Sequence, residues 1–167
     1  MKILMARMLK DWNDTHREKM ADPDSKLNLY CHIKQSFGYS PYLSVYREEK
    51  QRRALSRFRI SAHNLPIETG RYVKPKKIPR SLRTCPLCTK SVGDESHYLL
   101  HCPSDPFPPL RQPLLASLTH KFPLLRSMSD RDKVSLILNN TDLSYSPKIG
   151  KLTQQILDTF KVLNTLT

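Results

Sequence analysis

Glycine is nearly missing from this chain: four in 167 residues, against thirteen prolines. So few glycines leave no phosphate-cradling loop, and neither the P-loop pattern nor the dinucleotide fingerprint occurs. A nucleophile elbow is also absent, as is any paired acidic motif able to hold the two metal ions of phosphoryl transfer. Independent enzymatic activity is therefore not expected. Long apolar runs are missing too. No stretch approaches the roughly twenty residues that a membrane-spanning helix requires. The N-terminal "MKILMARML" is too short and too interrupted by charge for a secretory leader, and no small-residue cleavage site follows. The expectation is an intracellular protein, nuclear and/or cytoplasmic, with no membrane as partner. Acidic residues are also scarce, 15 against 28 Lys and Arg. The net charge of +13 favours a polyanionic partner, nucleic acid first, and is uninformative about fold.

The charge is unevenly spread. Net charge is +2 over residues 1–46, +9 over 47–83, −1 over 84–102 and +3 over 103–167. These four segments read as an N-terminal helical segment, a basic helix and strap, a compact cysteine-bearing element, and a proline-rich link with C-terminal helices. In the second, Leu55, Phe58, Ala62 and Leu65 recur at helical steps, which predicts a helix ended by Pro66. Arg52, Arg53, Arg57 and Arg59 project from its flanks, with only Glu48, Glu49 and Glu68 in the segment to compensate. The stretch "TGRYVKPKKIPRSLR" then reads as an extended basic strap. It carries Arg71, Lys74, Lys76, Lys77, Arg80 and Arg83, with Tyr72 able to stack on a base.

Four cysteines make no disulfide framework here, because three are crowded between residues 85 and 102 and Cys31 lies far away. Cys85 and Cys88 are separated by two residues, as in a tight turn that brings both thiolates to one ion. Eight residues separate Cys88 from His97, and four separate His97 from Cys102. Zinc accepts three thiolates and one imidazole in a tetrahedron, and a site closed by four protein ligands is structural rather than catalytic. The expected cofactor is one structural Zn2+. "ESHYLLHC" is expected to form about two helical turns that bring His97 to Cys102. His101 is the alternative ligand, disfavoured as the immediate neighbour of Cys102. Cys31 is expected to be a buried thiol. His16, His32, His63 and His120 have no partner at ligand spacing and read as structural or surface residues. Binding of metal would supply folding free energy to a segment with little apolar content of its own.

The flanks read as helices: one around Trp12, one from Lys26 to Phe37 stopped at Gly38, and one carrying Leu114, Leu115, Leu118 and Phe122. A further helix is capped by Ser129, with Asp132 three residues on. The last is capped by Ser146, with Pro147 at its first position and Ile149, Leu152, Ile156, Phe160 and Leu163 along one stripe. Prolines between 103 and 113 predict an extended link. The fold class is mostly α: short helices around a small Cys3His knuckle-like element, joined by extended basic and proline-rich linkers.

"RFRISAHNLPIETGRY", a basic linker, then "CPLC" and "DESHYLLHC" together resemble the region C-terminal to the polymerase in non-LTR (LINE-type) retrotransposon reverse transcriptases. The resemblance covers residues 12–102 well and 110–165 loosely. It implies that Cys85, Cys88, His97 and Cys102 are the zinc ligands, and that the region binds nucleic acid beside a polymerase, helping to place template RNA or target DNA. Nothing here resembles the catalytic motif of that polymerase or its endonuclease, so neither activity carries over. The expectation is non-catalytic, zinc-dependent binding of RNA or DNA. The alternatives are a module that docks on a polymerase core or host protein, with zinc serving its folding alone, or a decayed copy without function.

Overall fold

The computed structural model describes residues 2–22 and 24–165. It is mostly helical, and no strand forms among the described residues. The helices are α1 (Lys2–Ala21), α2 (Asn28–Ile33), α3 (Tyr42–Val45), α4 (Glu49–Arg59), α5 (Pro66–Thr69), α6 (Phe107–Lys121), α7 (Asp130–Leu138) and α8 (Ser146–Leu163). The main packing pair is α4 on α8, with α6 also packed on α8 and α2 bridging α1 to α7. Leu55 and Phe58 of α4 meet the stripe Ile149, Leu152, Ile156 and Phe160 of α8 in one core. That core also contains Tyr98, Leu99 and Leu100, between His97 and Cys102, the third and fourth donors of the cysteine cluster. The 84–102 element therefore has apolar anchors of its own: Tyr98 lies edge-on to Phe107 at 5.7 Å and tilted against Phe160 at 4.7 Å. Aromatic pairs of this kind contribute about 0.5–1.5 kcal/mol beyond their buried area.

Several boundaries differ from the sequence reading. The α4 helix stops at Arg59, six residues before the expected stop. Its end is a Schellman motif: Ala62 N–H donates to Arg57 O, Ser61 N–H to Phe58 O, and Ser61 adopts φ 51° where glycine is usual. Pro66 opens the next helix rather than ending this one, since a missing N–H costs nothing at a first helical position. Leu65 is still buried, reached by the turn instead of by helical periodicity.

The proline-rich link is not extended throughout. Residues from Phe107 onward are the first turn of α6, where Pro108 and Pro109 fill positions whose N–H groups have no intrahelical acceptor. Pro113 sits inside the helix and forfeits one backbone bond there. Burial of Phe107, Leu114 and Leu118 along the same helix offsets that loss. The α2 helix is also shorter than expected. It ends at Ile33 because buried Lys34 turns its ammonium onto the carbonyls of Gly38 and Tyr39, fixing a non-helical loop. Phe37 consequently leaves the expected face and meets Trp12 edge-on at 6.1 Å, so Trp12 has the packing role expected of it. Ser129 caps α7 as expected, accepting from Asp132 N–H. In α8, Tyr145 takes the cap position and Ser146 the first helical one.

Candidate metal centre

The donor atoms of Cys85, Cys88, His97 and Cys102 all lie within 4.8 Å of one another. Cys85 Sγ and Cys102 Sγ are 3.9 Å apart, and Cys88 Sγ is 3.3 Å from His97 Nε2. A tetrahedral ion with Zn–S near 2.3 Å and Zn–N near 2.0–2.1 Å sets two sulfurs about 3.8 Å apart and a sulfur and nitrogen about 3.5 Å apart. The donor set fits one such ion.

The backbone explains the arrangement. Thr84 and Val92 form an isolated antiparallel bridge. It is flanked by Cys85 N–H to Ser91 O at 2.8 Å and Gly93 N–H to Arg83 O at 2.8 Å. Between them the chain makes a tight turn closed by Thr89 N–H to Cys85 O, with Thr89 at φ 56°. This hairpin presents the first two thiols. The second pair comes from His97–His101, which is a single π turn rather than the expected two α turns. Cys102 N–H donates to His97 O at 2.7 Å, an i→i+5 bond. In an α-helix of 3.6 residues per turn, positions five apart point about 140° away from each other. The wider turn narrows that divergence, in keeping with the occurrence of π turns at functional sites. His101 is exposed and faces Asp130 Oδ2 at 2.6 Å, so His97 is the donor of the cluster.

The buried surroundings favour a neutral imidazole and disfavour a free Cys102 thiolate. Burial holds His97 below the ordinary histidine value, keeping the ring neutral. Burial pushes the isolated Cys102 thiol up to about 11, a charge cost that a metal would remove. Arg111, itself buried, donates to Cys102 O at 2.7 Å and to Tyr98 O at 3.3 Å. It thus closes the carbonyl end of the π turn with a positive charge. Asp94 Oδ1 accepts from His97 N–H at 2.9 Å at the other end. Nearby, Glu95 Oε1 accepts from Ser61 Oγ at 2.6 Å and lies 2.9 Å from His63 Nε2. Leu65 N–H approaches His63 Nδ1, which assigns the ring proton to Nε2. The "SAH" run therefore ties the end of α4 to the metal element. Tyr98 and Arg111 carry no spacing signal. Asp94, three residues before His97, has the sequence mark of a cap.

The basic residues divide. Arg59 and Arg83 are 2% and 3% exposed and leave the set of available contacts. Arg59 donates to Leu138 O and Asn139 Oδ1 and lies over the Tyr42 ring. Arg83 donates to Ile78 O and Ile67 O. Burying a guanidinium is costly unless it is bonded. Three backbone carbonyls and the Asn139 side-chain oxygen accept from the two groups, while Arg59 Nε is buried without a hydrogen-bond partner. Arg52 is half-buried and donates to Tyr46 O. Arg53 pairs with Glu49. Arg53 and Arg57 line a groove with Lys50 and Lys161 between α4 and α8. Arg71 bonds Glu68, and Arg80 is 3.6 Å from Asp94.

The expected extended strap is instead a closed loop. Ile78 N–H donates to Gly70 O at 2.8 Å and shuts its base. Tyr72, Lys74, Lys76 and Lys77 are exposed on the loop so formed. Closure rather than extension follows from Arg83, which clamps both ends by bonding Ile78 and Ile67. Its aliphatic stem fills the space beside Gly70, where a Cβ would lie 2.7 Å from Arg83 Cγ.

Cys31 is a buried thiol as expected. No helix among the described residues is long and apolar enough to cross a membrane. Comparison with family models, curated proteins and solved structures finds no match.

Proposed function

We propose that the chain is a non-catalytic, zinc-dependent nucleic-acid-binding protein, and that the exposed loop between Gly70 and Ile78 is its principal contact. The observation that carries this is the Arg83 clamp: the residue that closes the basic loop lies two positions before Cys85, the first metal donor. Zinc bound by Cys85, Cys88, His97 and Cys102 would hold the hairpin and the π turn together, and through Arg83 would fix the loop base. Lys74, Lys76 and Lys77 would neutralise phosphates, Tyr72 would stack on an unpaired base, and Arg71 and Arg80 would extend the track. Single-stranded or structured RNA suits an exposed aromatic flanked by lysines better than duplex DNA does. The same reading accommodates the resemblance to the C-terminal region of non-LTR retrotransposon reverse transcriptases, in which this module would act beside a polymerase.

The test is titration of RNA and DNA oligonucleotides into metal-loaded and chelator-treated protein across a salt series. Expected are salt-sensitive binding and its weakening on metal removal. Absence of binding at low salt would refute the proposal.

One observation favours the rival reading, a module docking on a protein partner. Ile3, Leu4, Met5, Met8 and Leu9 of α1 are all exposed, leaving that end of the helix without packing. Recovery of a partner from nuclease-treated extract that is lost when Leu4 and Met8 are changed to Lys would support it.

A further inference from the structure

A second polar site lies between the basic loop and the metal element. A cavity of about 130 Å3 is lined by Ser61, Glu68, Arg71, Arg80, Glu95 and Arg131, among others. That is far above the roughly 10–15 Å3 that a single water requires. Its inner carboxylates are unusual. The Glu68 side chain is 4% exposed, and its Oε1 is held 2.8 Å from Arg71 Nε. Its Oε2 is buried without any hydrogen-bond partner. An unpaired buried carboxylate oxygen is costly and calls for a donor. Glu95, the other buried carboxylate of the lining, has its Oε1 engaged by Ser61 and His63. Cations stand at the mouth: Arg80 and Arg131 are exposed, and Lys26 is exposed on the same lining.

A ligand matched to this site carries N–H donors on the part that enters and negative charge on the part that stays outside. A nucleotide does so. Among the bases, guanine presents two adjacent donors, N1–H and N2–H2, on its Watson–Crick edge, with O6 beside them as an acceptor for a donor such as Arg71. Uracil offers one N–H between two carbonyls, which would face carboxylates unfavourably. We propose that this cavity takes a single unpaired guanine, with Glu68 as the residue that reads its donors and with Arg80, Arg131 and Lys26 receiving the adjoining phosphate. This rests on the nucleic-acid reading above and adds a base preference to it. The cavity shares Arg71 and Arg80 with the root of the basic loop, so a strand tracking the loop reaches it.

The experiment uses the full metal-loaded chain and short oligouridylates carrying one central guanine, adenine, cytosine or uracil. Their affinities are measured by fluorescence anisotropy for the unchanged protein, Glu68→Gln and Arg131→Ala. The expected result is about tenfold tighter binding of the guanine oligonucleotide. Glu68→Gln keeps an oxygen for Arg71 but replaces the free acceptor by a donor, and should abolish the preference while leaving the salt dependence unchanged. Arg131→Ala, at the exposed mouth, should weaken the guanine oligonucleotide several-fold. It serves as the decisive variant if Glu68→Gln does not fold, as judged by circular dichroism. Salt-sensitive binding of all four oligonucleotides with equal affinity would overturn the guanine site while leaving the nucleic-acid reading intact. A guanine preference unchanged in both variants would overturn the assignment to this cavity. No binding of any oligonucleotide would overturn both readings.

Discussion

Arg111 donates to the carbonyl oxygen of Cys102 across 2.7 Å, so a buried cation closes the backbone turn that carries the last metal donor. It comes from the N-terminal part of α6, which the proline pattern marks as an extended link, and it meets the metal element only after the chain has folded. Three thiolates and a neutral imidazole around a divalent ion would leave one net negative charge, which this guanidinium would balance.

Replacing Arg111 by Met is therefore expected to destabilise the metal-loaded protein by roughly 2–4 kcal/mol, since two buried carbonyls lose a charged donor. Metal affinity should fall as well. Chemical denaturation and competition with a chromophoric chelator measure the two effects, and a variant with unchanged metal affinity would show the charge to be irrelevant to the site.

The two histidines of the π turn should separate cleanly. His97→Ala removes a donor and is expected to abolish tight binding of zinc or cobalt. His101→Ala loses only a half-exposed contact with Asp130 and should cost no more than about 1 kcal/mol. The thiolate-to-cobalt absorption band, present in one variant and absent in the other, provides the check.

Gly93 has no room for a side chain. A Cβ there would lie 2.6 Å from the Tyr98 hydroxyl and 2.8 Å from Pro66 Cγ. Gly93→Ala should cost about 1–3 kcal/mol by overpacking. The pair Gly93→Ala, Tyr98→Phe should recover part of it, because the clash with the hydroxyl is removed. A thermal melt identical to the unchanged protein would contradict the packing described.

Arg59 and the loop lysines should behave oppositely. Arg59→Met leaves the buried Leu138 carbonyl without its donor and is expected to cost roughly 1–3 kcal/mol of stability, with little change in oligonucleotide affinity per folded molecule. Substituting Lys74, Lys76 and Lys77 together by Ala should leave the melt within about 0.5 kcal/mol. The same triple variant should lower the salt slope of binding by up to about 3. Melting curves and anisotropy titrations on the same samples distinguish them.

Acid sensitivity has a traceable source at the surface. The Lys121 ammonium, followed by Ser144, holds the Asp142 carboxyl well below the ordinary carboxylate range. A depressed carboxylate contributes stability above its unfolded value, near pH 4, and loses it as pH falls further toward the folded value. Lys121→Met should bring the Asp142 midpoint, followed by carbon-detected NMR, back toward the ordinary range. It should also reduce the acid loss in denaturation between about pH 4 and 2, an effect damped by salt because the pair is exposed.

The sequence by itself determined the helical class, the four donors and the concentration of positive charge before them. These are local properties. A two-residue gap between thiols, a helical period of leucines and a run of lysines keep their meaning whatever the rest of the chain does. The Ser129 cap and the stripe of α8 were legible for the same reason. What only the tertiary structure decided were features set by distant partners. Arg59 and Arg83 look like their exposed neighbours until Leu138, Asn139, Ile67 and Ile78 offer carbonyl and amide oxygens to them. Ser61 ends α4 in a glycine-like conformation because Glu95, thirty-four positions away, accepts its hydroxyl proton. The π turn forms where a plain helix was expected, since Arg111, Tyr98 and the cysteine hairpin together hold His97 over Cys102. Local pattern specifies which residues can serve a site; burial and long-range hydrogen bonding decide which are left to serve it.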